Sequence, residues 1–342
     1  MFFVVSMNPD EALHQGLTLM QRSGIARDSR DGAVCVLMQP VTTAHMKPHH
    51  RVIFSRARDA NPFFHLFESM WMLAGEQNAR WLDRYVKNFS SRYGDEHGNI
   101  HGAYGARWNG WFVDMMDDRG HDHMPDQLRV VTDLLRKDPN SRQVVLTMWS
   151  PLDDLGTDVR DRPCNTHIYF RVRDLSTGPL LDMTVCCRSN DMIMGAYGAN
   201  VVHMSILMEY ISASIGIPMG IYYQVSNDFH AYERDLQRFG DLNQSIPRFL
   251  SAYDSVSPSP LFTTEGSATV RQEIRAWMSS PSRVPYNSRN PQLFYELLVP
   301  MSEAHDLVRE KKWSDALSVI RHFVGHEDWR IAATEWIERR AK

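Results

Sequence analysis

The 342-residue chain has only four cysteines, Cys35, Cys164, Cys186 and Cys187, and no CxxC among them. That scarcity argues against a disulfide framework and paired-thiolate metal sites, and it suits a reducing compartment where thiols stay free. Long apolar runs are also missing: none approaches the roughly 18 residues of a membrane-spanning helix. The apolar start Met1–Met7 lacks the basic flank and length of a signal peptide. A soluble, cytoplasmic protein with no membrane partner is the expectation. Nor is there a basic excess; the net charge is −4, which argues against stable nucleic-acid binding but not against a small anion held by a few arginines. No repeat or low-complexity tract is visible.

What is present is apolar material for a large core. Hydrophobic residues make up 43%, enough for one large α/β domain or two ordinary ones. Asn8-Pro9-Asp10-Glu11 reads as a helix start, and Ala33–Met38 and Val52-Ile53-Phe54 as strands. Asn61-Pro62 caps an apolar helix from Phe63 to Ala74, and Ser90–Trp111 reads as a glycine-flanked loop carrying Tyr104. A helix over Asp126–Arg136 precedes a strand over Arg142–Trp149, and Ser150–Asp161 reads as a surface loop or lid. Strands follow at His167–Val172 and Leu181–Cys187, then a buried helix over Ala199–Gly216 and a strand over Ile221–Val225. A further helix is expected from His230 to Phe239, a Pro/Ser-rich connection over 246–262, and almost continuous helix beyond Pro291.

Three stretches carry candidate chemistry. In Arg162-Pro163-Cys164-Asn165-Thr166-His167 the proline sets a strand's beginning, and the cysteine is either a nucleophile favoured as thiolate by a nearby arginine or a small buried hydrophobe. Arg188-Ser189 combines a fork of donors with a hydroxyl, which suits a phosphate, and Arg142 offers a second fork; surface ion pairing is the ordinary alternative. His230 and Tyr232, two apart, reach sugar hydroxyls if the segment is extended, or else cap the helix that follows. Glu68, among Phe67, Met70, Trp71 and Met72, is either turned to solvent or paired, or is a desolvated carboxyl suited to proton transfer. The run Asp117–His123 invites a metal, yet a hydrated loop explains its composition as well and no Glu or Cys ligand lies at helical spacing, so no metal is expected. The sum points to a covalent thiol enzyme acting on a phosphorylated small molecule.

In order and spacing these pieces resemble thymidylate synthase and its relatives that methylate or hydroxymethylate pyrimidine nucleotides. The likeness runs from about Arg30 to Tyr232, and Pro163-Cys164, Arg188-Ser189-x-Asp191-x-x-x-Gly195 and Asp228-x-His230-x-Tyr232 carry most of it. It implies the thymidylate synthase fold, a mixed β-sheet flanked by helices (α/β, or α+β), over residues 1–290, with a helical C-terminal extension over 291–342 packed on it. It implies a homodimer and 5,10-methylenetetrahydrofolate as co-substrate. By the same resemblance Cys164 adds to pyrimidine C6, Glu68 shuttles protons and Tyr104 helps remove the C5 proton. Arg188, Ser189 and Arg30 hold the phosphate, joined by Arg142 from the second subunit. Asp191 and Gly195 hold the folate, and His230 with Tyr232 holds the ribose 3′-hydroxyl.

The departures bear on which relative this is. The family's base-reading asparagine stands four residues after the glycine that is here Gly195; that position is Ala199, with Asn200 one step along. Asn165 replaces the histidine usual after the nucleophile and would meet the C4 substituent differently. Both changes favour cytosine over uracil, since hydrogen-bonded recognition is what separates such analogues. A cofactor-stacking tryptophan is replaced by Ser90, which suggests less aromatic shielding, easier access of water and hydroxymethylation. The expected reaction is therefore one-carbon transfer to C5 of dCMP, with dUMP methylation or CMP hydroxymethylation as the near alternatives. A cysteine hydrolase and a non-catalytic nucleotide-binding homologue are the rivals of other classes. Modified viral DNA synthesis and an antibiotic pathway both suit a cytosine-directed relative.

Overall fold

The computed structural model describes residues 1–111, 126–159, 161–240, 251–281, 284 and 287–342. The acidic, histidine-bearing run Asp117–His123 and part of the 246–262 connection lie outside them.

The described strands are β1 (Phe2–Ser6), β2 (Ile25–Arg27), β3 (Val34–Leu37), β4 (Val41–His45), β5 (Val145–Thr147), β6 (Asn165–Leu175), β7 (Gly178–Asp191) and β8 (Met219–Tyr232). They form one mixed sheet in the order β1-β4-β8-β7-β6-β5, with β3 also on β8 and β2 on β3. β6 and β7 make an antiparallel hairpin whose turn ends on Gly178, at φ +114°, a conformation that disfavours any side chain. β7 and β8 run parallel, so the chain between them must cross over, and it does so through helix.

Helix α1 (Pro9–Ser23) starts where Asn8 accepts from the Glu11 amide at 2.9 Å, and α2 (Pro62–Leu73) where Asn61 accepts from the Phe64 amide at 3.1 Å. Both begin with proline, whose missing N–H is not needed in a first turn. α3 (Asn200–Ile215) is the crossover helix; it packs on α2, and both are buried nearly all round, as their lack of a polar face requires. Three C-terminal helices, α4 (Val299–Arg309), α5 (Trp313–Phe323) and α6 (Glu327–Arg340), close the other side of α2. There the Phe63 ring lies 5.3 Å from Trp336 and 5.2 Å from His305, centroid to centroid. Phe63 and Trp336 belong to the same hydrophobic cluster as the sheet, and Phe63 has no exposed face left. Burying one such aromatic contributes ~2–3 kcal/mol.

Three local expectations differ from the structure. Val52-Ile53-Phe54 is extended but pairs with no strand: the buried Asp10 carboxylate takes the Phe54 and Ser55 amides, and the Tyr253 hydroxyl takes that of Val52. The helix expected from His230 is strand as far as Tyr232, because β3 pairs there, and turns helical from there on, over Glu233–Leu236 and a 3-10 turn at Gln237–Phe239. Ser90–Trp111 contains two short helices, Phe89–Tyr93 and Tyr104–Asn109. Among the described residues no helix is long and apolar enough to cross a membrane.

Candidate active site

The register between β7 and β8 builds the first half of the site. It sets Ser189 beside Asp228 and Asp191 beside His230, so two motifs some forty residues apart in sequence become neighbours on one sheet edge. β3 adds Val34 beside Tyr232. β6 returns antiparallel to β7, and the Arg188 amide donates to the Cys164 carbonyl at 2.9 Å. Arg188 then braces the approach to the cysteine: its Nε donates to the Pro163 carbonyl at 3.0 Å and its Nη2 to that of Arg162 at 3.1 Å. These residues line an outer cleft of about 720 Å³ that contains Arg27, Arg30, Cys164, Arg188, Ser189, Asp191, Asp228, His230 and Tyr232.

An inner cavity of about 190 Å³ shares Asp161, Arg162 and Cys164 with that cleft. Its walls bring in Glu68 from α2, Tyr104, and Ala199, Asn200 and His203 from the start of α3. Cys164 is half-buried at the junction of the two. Glu68 is not turned to solvent; its Oε2 lies 3.0 Å from Nε2 of the buried His203. Trp71, Phe89 and Tyr93 also line this cavity. The expectation of weak aromatic shielding is thereby corrected: Ser90 itself points away and donates to Asp83 through its amide at 2.8 Å, while its neighbour Phe89 supplies a ring.

Between β7 and α3 the chain runs through Met192–Ala199, helical but kinked at Tyr197 and Gly198, and ends in a wide turn where the Asn200 amide donates to the Gly195 carbonyl five residues back. Such a turn takes up one residue more than an α-turn. The Asp191 carboxylate opens it, accepting from the Ile193 and Met194 amides at 2.8 and 3.0 Å. Asn200 is delivered into the cavity, and its Nδ2 donates to Asn190 Oδ1 at 3.0 Å. Gly195 stands where these two side chains meet.

Asn165 is placed otherwise than expected. It is fully buried and lines neither cavity: it is the first residue of β6, paired with Cys187 on β7, and its side chain accepts from the Cys187 thiol at 2.8 Å. Arg142 is exposed and lies with Arg171 and Arg173 at a separate surface.

Burial dominates the electrostatics. It raises the Cys164 thiol above the usual cysteine range, with Arg188 pulling the other way, and pushes the Tyr104 phenol far up. Burial likewise raises the carboxyls of Asp161 and Asp191 despite their amide donors. The site is thus a half-buried thiol flanked by a buried acid, a half-buried phenol and an imidazole, and beside it stands a polar cleft with exposed arginines. It can hold an anion on one side and a flat polar ring on the other.

Sequence reasoning missed Asp161, Arg162 and His203, and took Arg27 only as part of a loop with two arginines that could meet an anion or be a solvated turn. Arg27 donates to Asp228 at 2.8 Å, and Asp161 accepts from the Gly102 amide at 3.2 Å. Arg162 donates to the Asp154 carbonyl at 3.0 Å, and His203 lies opposite Glu68. Asp161 and Arg162 were signalled by adjacency to Pro163-Cys164; His203 was signalled only by standing one turn beyond Asn200 on an otherwise apolar helix. Among the described residues no cluster of three or more potential ligands is placed to hold a metal.

Known proteins agree with this geometry. The thymidylate synthase family matches residues 19–252. A deoxyuridylate hydroxymethyltransferase of Pseudomonas phage M6 is 37% identical over 98% of this chain and 94% of its own length. Another protein of that name, from Bacillus phage SP01, is 34% identical over 58% of this chain and 50% of its own. A third, from Delftia phage PhiW-14, is 25% identical over 80% and 74% respectively. With its sheet order, its cysteine at the junction of two cavities and a relative alike from end to end, this chain belongs to the thymidylate synthase family.

Proposed function

We propose that the protein transfers a one-carbon unit from 5,10-methylenetetrahydrofolate to C5 of dUMP, giving 5-hydroxymethyl-dUMP through a covalent bond between Cys164 and C6. The observation that carries the reading is the position of Cys164 where a polar, arginine-bearing cleft meets a smaller, more apolar cavity. The phosphate lies against Arg188, Ser189 and Arg30, and the ribose against His230 and Tyr232. The base enters the cavity, where Cys164 reaches C6, Glu68 serves the C4 oxygen and Tyr104 the C5 proton. The folate lies over Trp71 and Phe89, with Asp191 and Gly195 shaping the turn beneath it. Arg142 is assigned to the phosphate of a second copy in a homodimer, since it lines neither cavity of its own chain.

Uracil is preferred over the cytosine suggested by Ala199 because the wide turn offsets the additional residue and returns an asparagine amide to the base cavity. One amide donates to O4 and accepts from N3–H, a pairing that cytosine reverses. The names of the relatives support the same base and a hydroxymethyl product. Asn165, buried against Cys187 and lining neither cavity, does not carry the cytosine reading.

The test is tritium release from C5-labelled dUMP and dCMP with methylenetetrahydrofolate, followed by mass analysis. Release from dUMP that vanishes in Cys164→Ser, with a product heavier by CH2O, is the expected result. Release from dCMP alone returns the cytosine reading, a gain of CH2 makes the enzyme a methylase, and no release with nucleotide bound leaves a binding protein.

A further inference from the structure

We propose that His203 accepts the proton of the water that adds to the one-carbon unit, and so makes the product a hydroxymethyl group; this rests on the one-carbon transfer proposed above. His203 stands three residues after Asn200 on α3, on the same helical face, and lines the same cavity. Its Nε2 is 3.0 Å from Glu68 Oε2, yet the direction of approach does not make a hydrogen bond, and neither ring nitrogen has a hydrogen-bond partner among the described residues. Buried polar groups are nearly always satisfied, so an imidazole left open on a cavity wall is suited to a water or to the substrate.

Its surroundings support the assignment. The groups facing it are Glu68 and His65 from α2, the His65 ring standing edge-on at 6.4 Å. Across the cavity are Tyr104, Cys164 and Asp161. Burial keeps His65 neutral by lowering its basicity well below the usual histidine range, and it does the reverse to the acids Tyr104, Cys164 and Asp161, which hold their protons more tightly than usual. Asn165, which replaces the histidine beside the nucleophile, is sealed against Cys187 and cannot serve. His203 is the one imidazole on this wall. The reaction needs proton transfer at the C4 oxygen and again at the incoming water, and Glu68 with His203 supplies one group for each.

The step balances as follows. After tetrahydrofolate leaves, the exocyclic carbon is doubly bonded to C5 and conjugated with the C4 carbonyl. Water oxygen bonds to that carbon, the π pair moves to the C4 oxygen as an enolate, and the water's proton passes to a ring nitrogen of His203. The enolate then reforms C5=C6, and the S–C6 pair returns to Cys164 as thiolate. No electron is gained or lost overall, so no oxidant or reductant is called for.

The experiment compares the wild type with His203→Gln and His203→Asn, using dUMP labelled at C5, methylenetetrahydrofolate and added 2-mercaptoethanol. Tritium release reports the steps before water adds, and mass analysis reports hydroxymethyl product and any thioether formed by capture of the methylene. In the wild type, hydroxymethyl product matches tritium released. In both variants that ratio is expected to fall at least about tenfold, with thioether replacing the missing product, since positioned proton transfer contributes ~10²–10⁴-fold. The ratio counts only molecules that turn over, so partial unfolding does not disturb it. A ratio that stays near one while both signals fall together means a structural histidine and overturns the proposal. Absence of tritium release from the wild type overturns the one-carbon reading itself.

Discussion

Asn200 and Asn190 are joined side chain to side chain, Nδ2 of the first donating to Oδ1 of the second at 3.0 Å, while Asn190 Nδ2 donates to Ser226 Oγ at 3.1 Å. The amide proposed to read the base is therefore oriented from two strands of the sheet. One of its N–H bonds is spent on Asn190, which leaves the other for a ligand.

Gly195 makes that contact possible. A Cβ there would lie 2.7 Å from Asn190 Oδ1 and 3.2 Å from Asn200 Nδ2. Gly195→Ala is expected to lower stability by ~1–3 kcal/mol. It is also expected to reduce the preference for dUMP over dCMP by roughly tenfold, the equivalent of one disoriented hydrogen bond. Denaturant midpoints and the two tritium-release rates measure both; an unchanged preference would mean that Asn200 does not read the base.

The Cys164 thiol is raised by burial and lowered by Arg188. A raised thiol holds its proton to higher pH, so thiolate at neutral pH is scarcer than in a free cysteine. Alkylation of Cys164 by iodoacetamide, followed by peptide mass analysis, is expected to climb with pH across a range above that of an exposed thiol. Arg188→Gln removes the favourable charge and should move the curve further up. A curve that does not move, or moves down, would remove Arg188 from thiolate stabilisation.

Arg107 is fully buried, and its Nη1 donates to the Met148 carbonyl at 2.6 Å and to Asp154 Oδ2 at 2.7 Å. Asp154 in turn anchors Arg162 through its carbonyl, two residues before Cys164. Arg107→Met leaves Asp154 short of its counter-charge and is expected to cost about 3–5 kcal/mol in urea unfolding. A loss under about 1 kcal/mol would place the pair among those that contribute little.

Asp10 is buried, and burial raises its carboxyl from 3.8 to about 6 although the Phe54 and Ser55 amides oppose the shift. A folded value above the unfolded one means that the native state binds the proton more tightly. The stabilisation is complete below pH 3.8 and is lost as pH rises through about 6. Relative to Asp10→Asn, the wild type should gain on the order of 2 kcal/mol as pH falls from neutral toward 4. Parallel pH profiles of the two melting temperatures would refute the assignment.

Much of the site was legible because its pieces are short and locally determined. Arg188-Ser189 and Asp228-x-His230-x-Tyr232 keep their spacing on strands, where alternation assigns each side chain a face, and Pro163-Cys164 stands directly before one. Asn165, the first residue of β6, is held away from the cavity by the Cys187 thiol on β7, a contact that its neighbour Cys164 did not announce. Val52-Ile53-Phe54 has the composition of a strand, but Asp10 and Tyr253, distant in sequence, claimed its amides. His230 was placed at a helix start because the partner strand β3 cannot be seen from the residues around it.

The sequence by itself determined the family, the candidate nucleophile and the order of the motifs, since these depend on residue type and near spacing. Tertiary structure decided which asparagine faces the cavity and what stands beside Glu68. One additional residue would rotate a regular helix by about 100° and carry Asn200 and His203 off the cavity wall. Here the chain between Gly195 and Asn200 is kinked at Tyr197 and Gly198, and Asn200 and His203 both line the cavity. Whether a turn widens depends on the contacts on either side of it, here those of Asp191, Asn190 and Ser226, and these exist only once β7, β8 and α3 have come together.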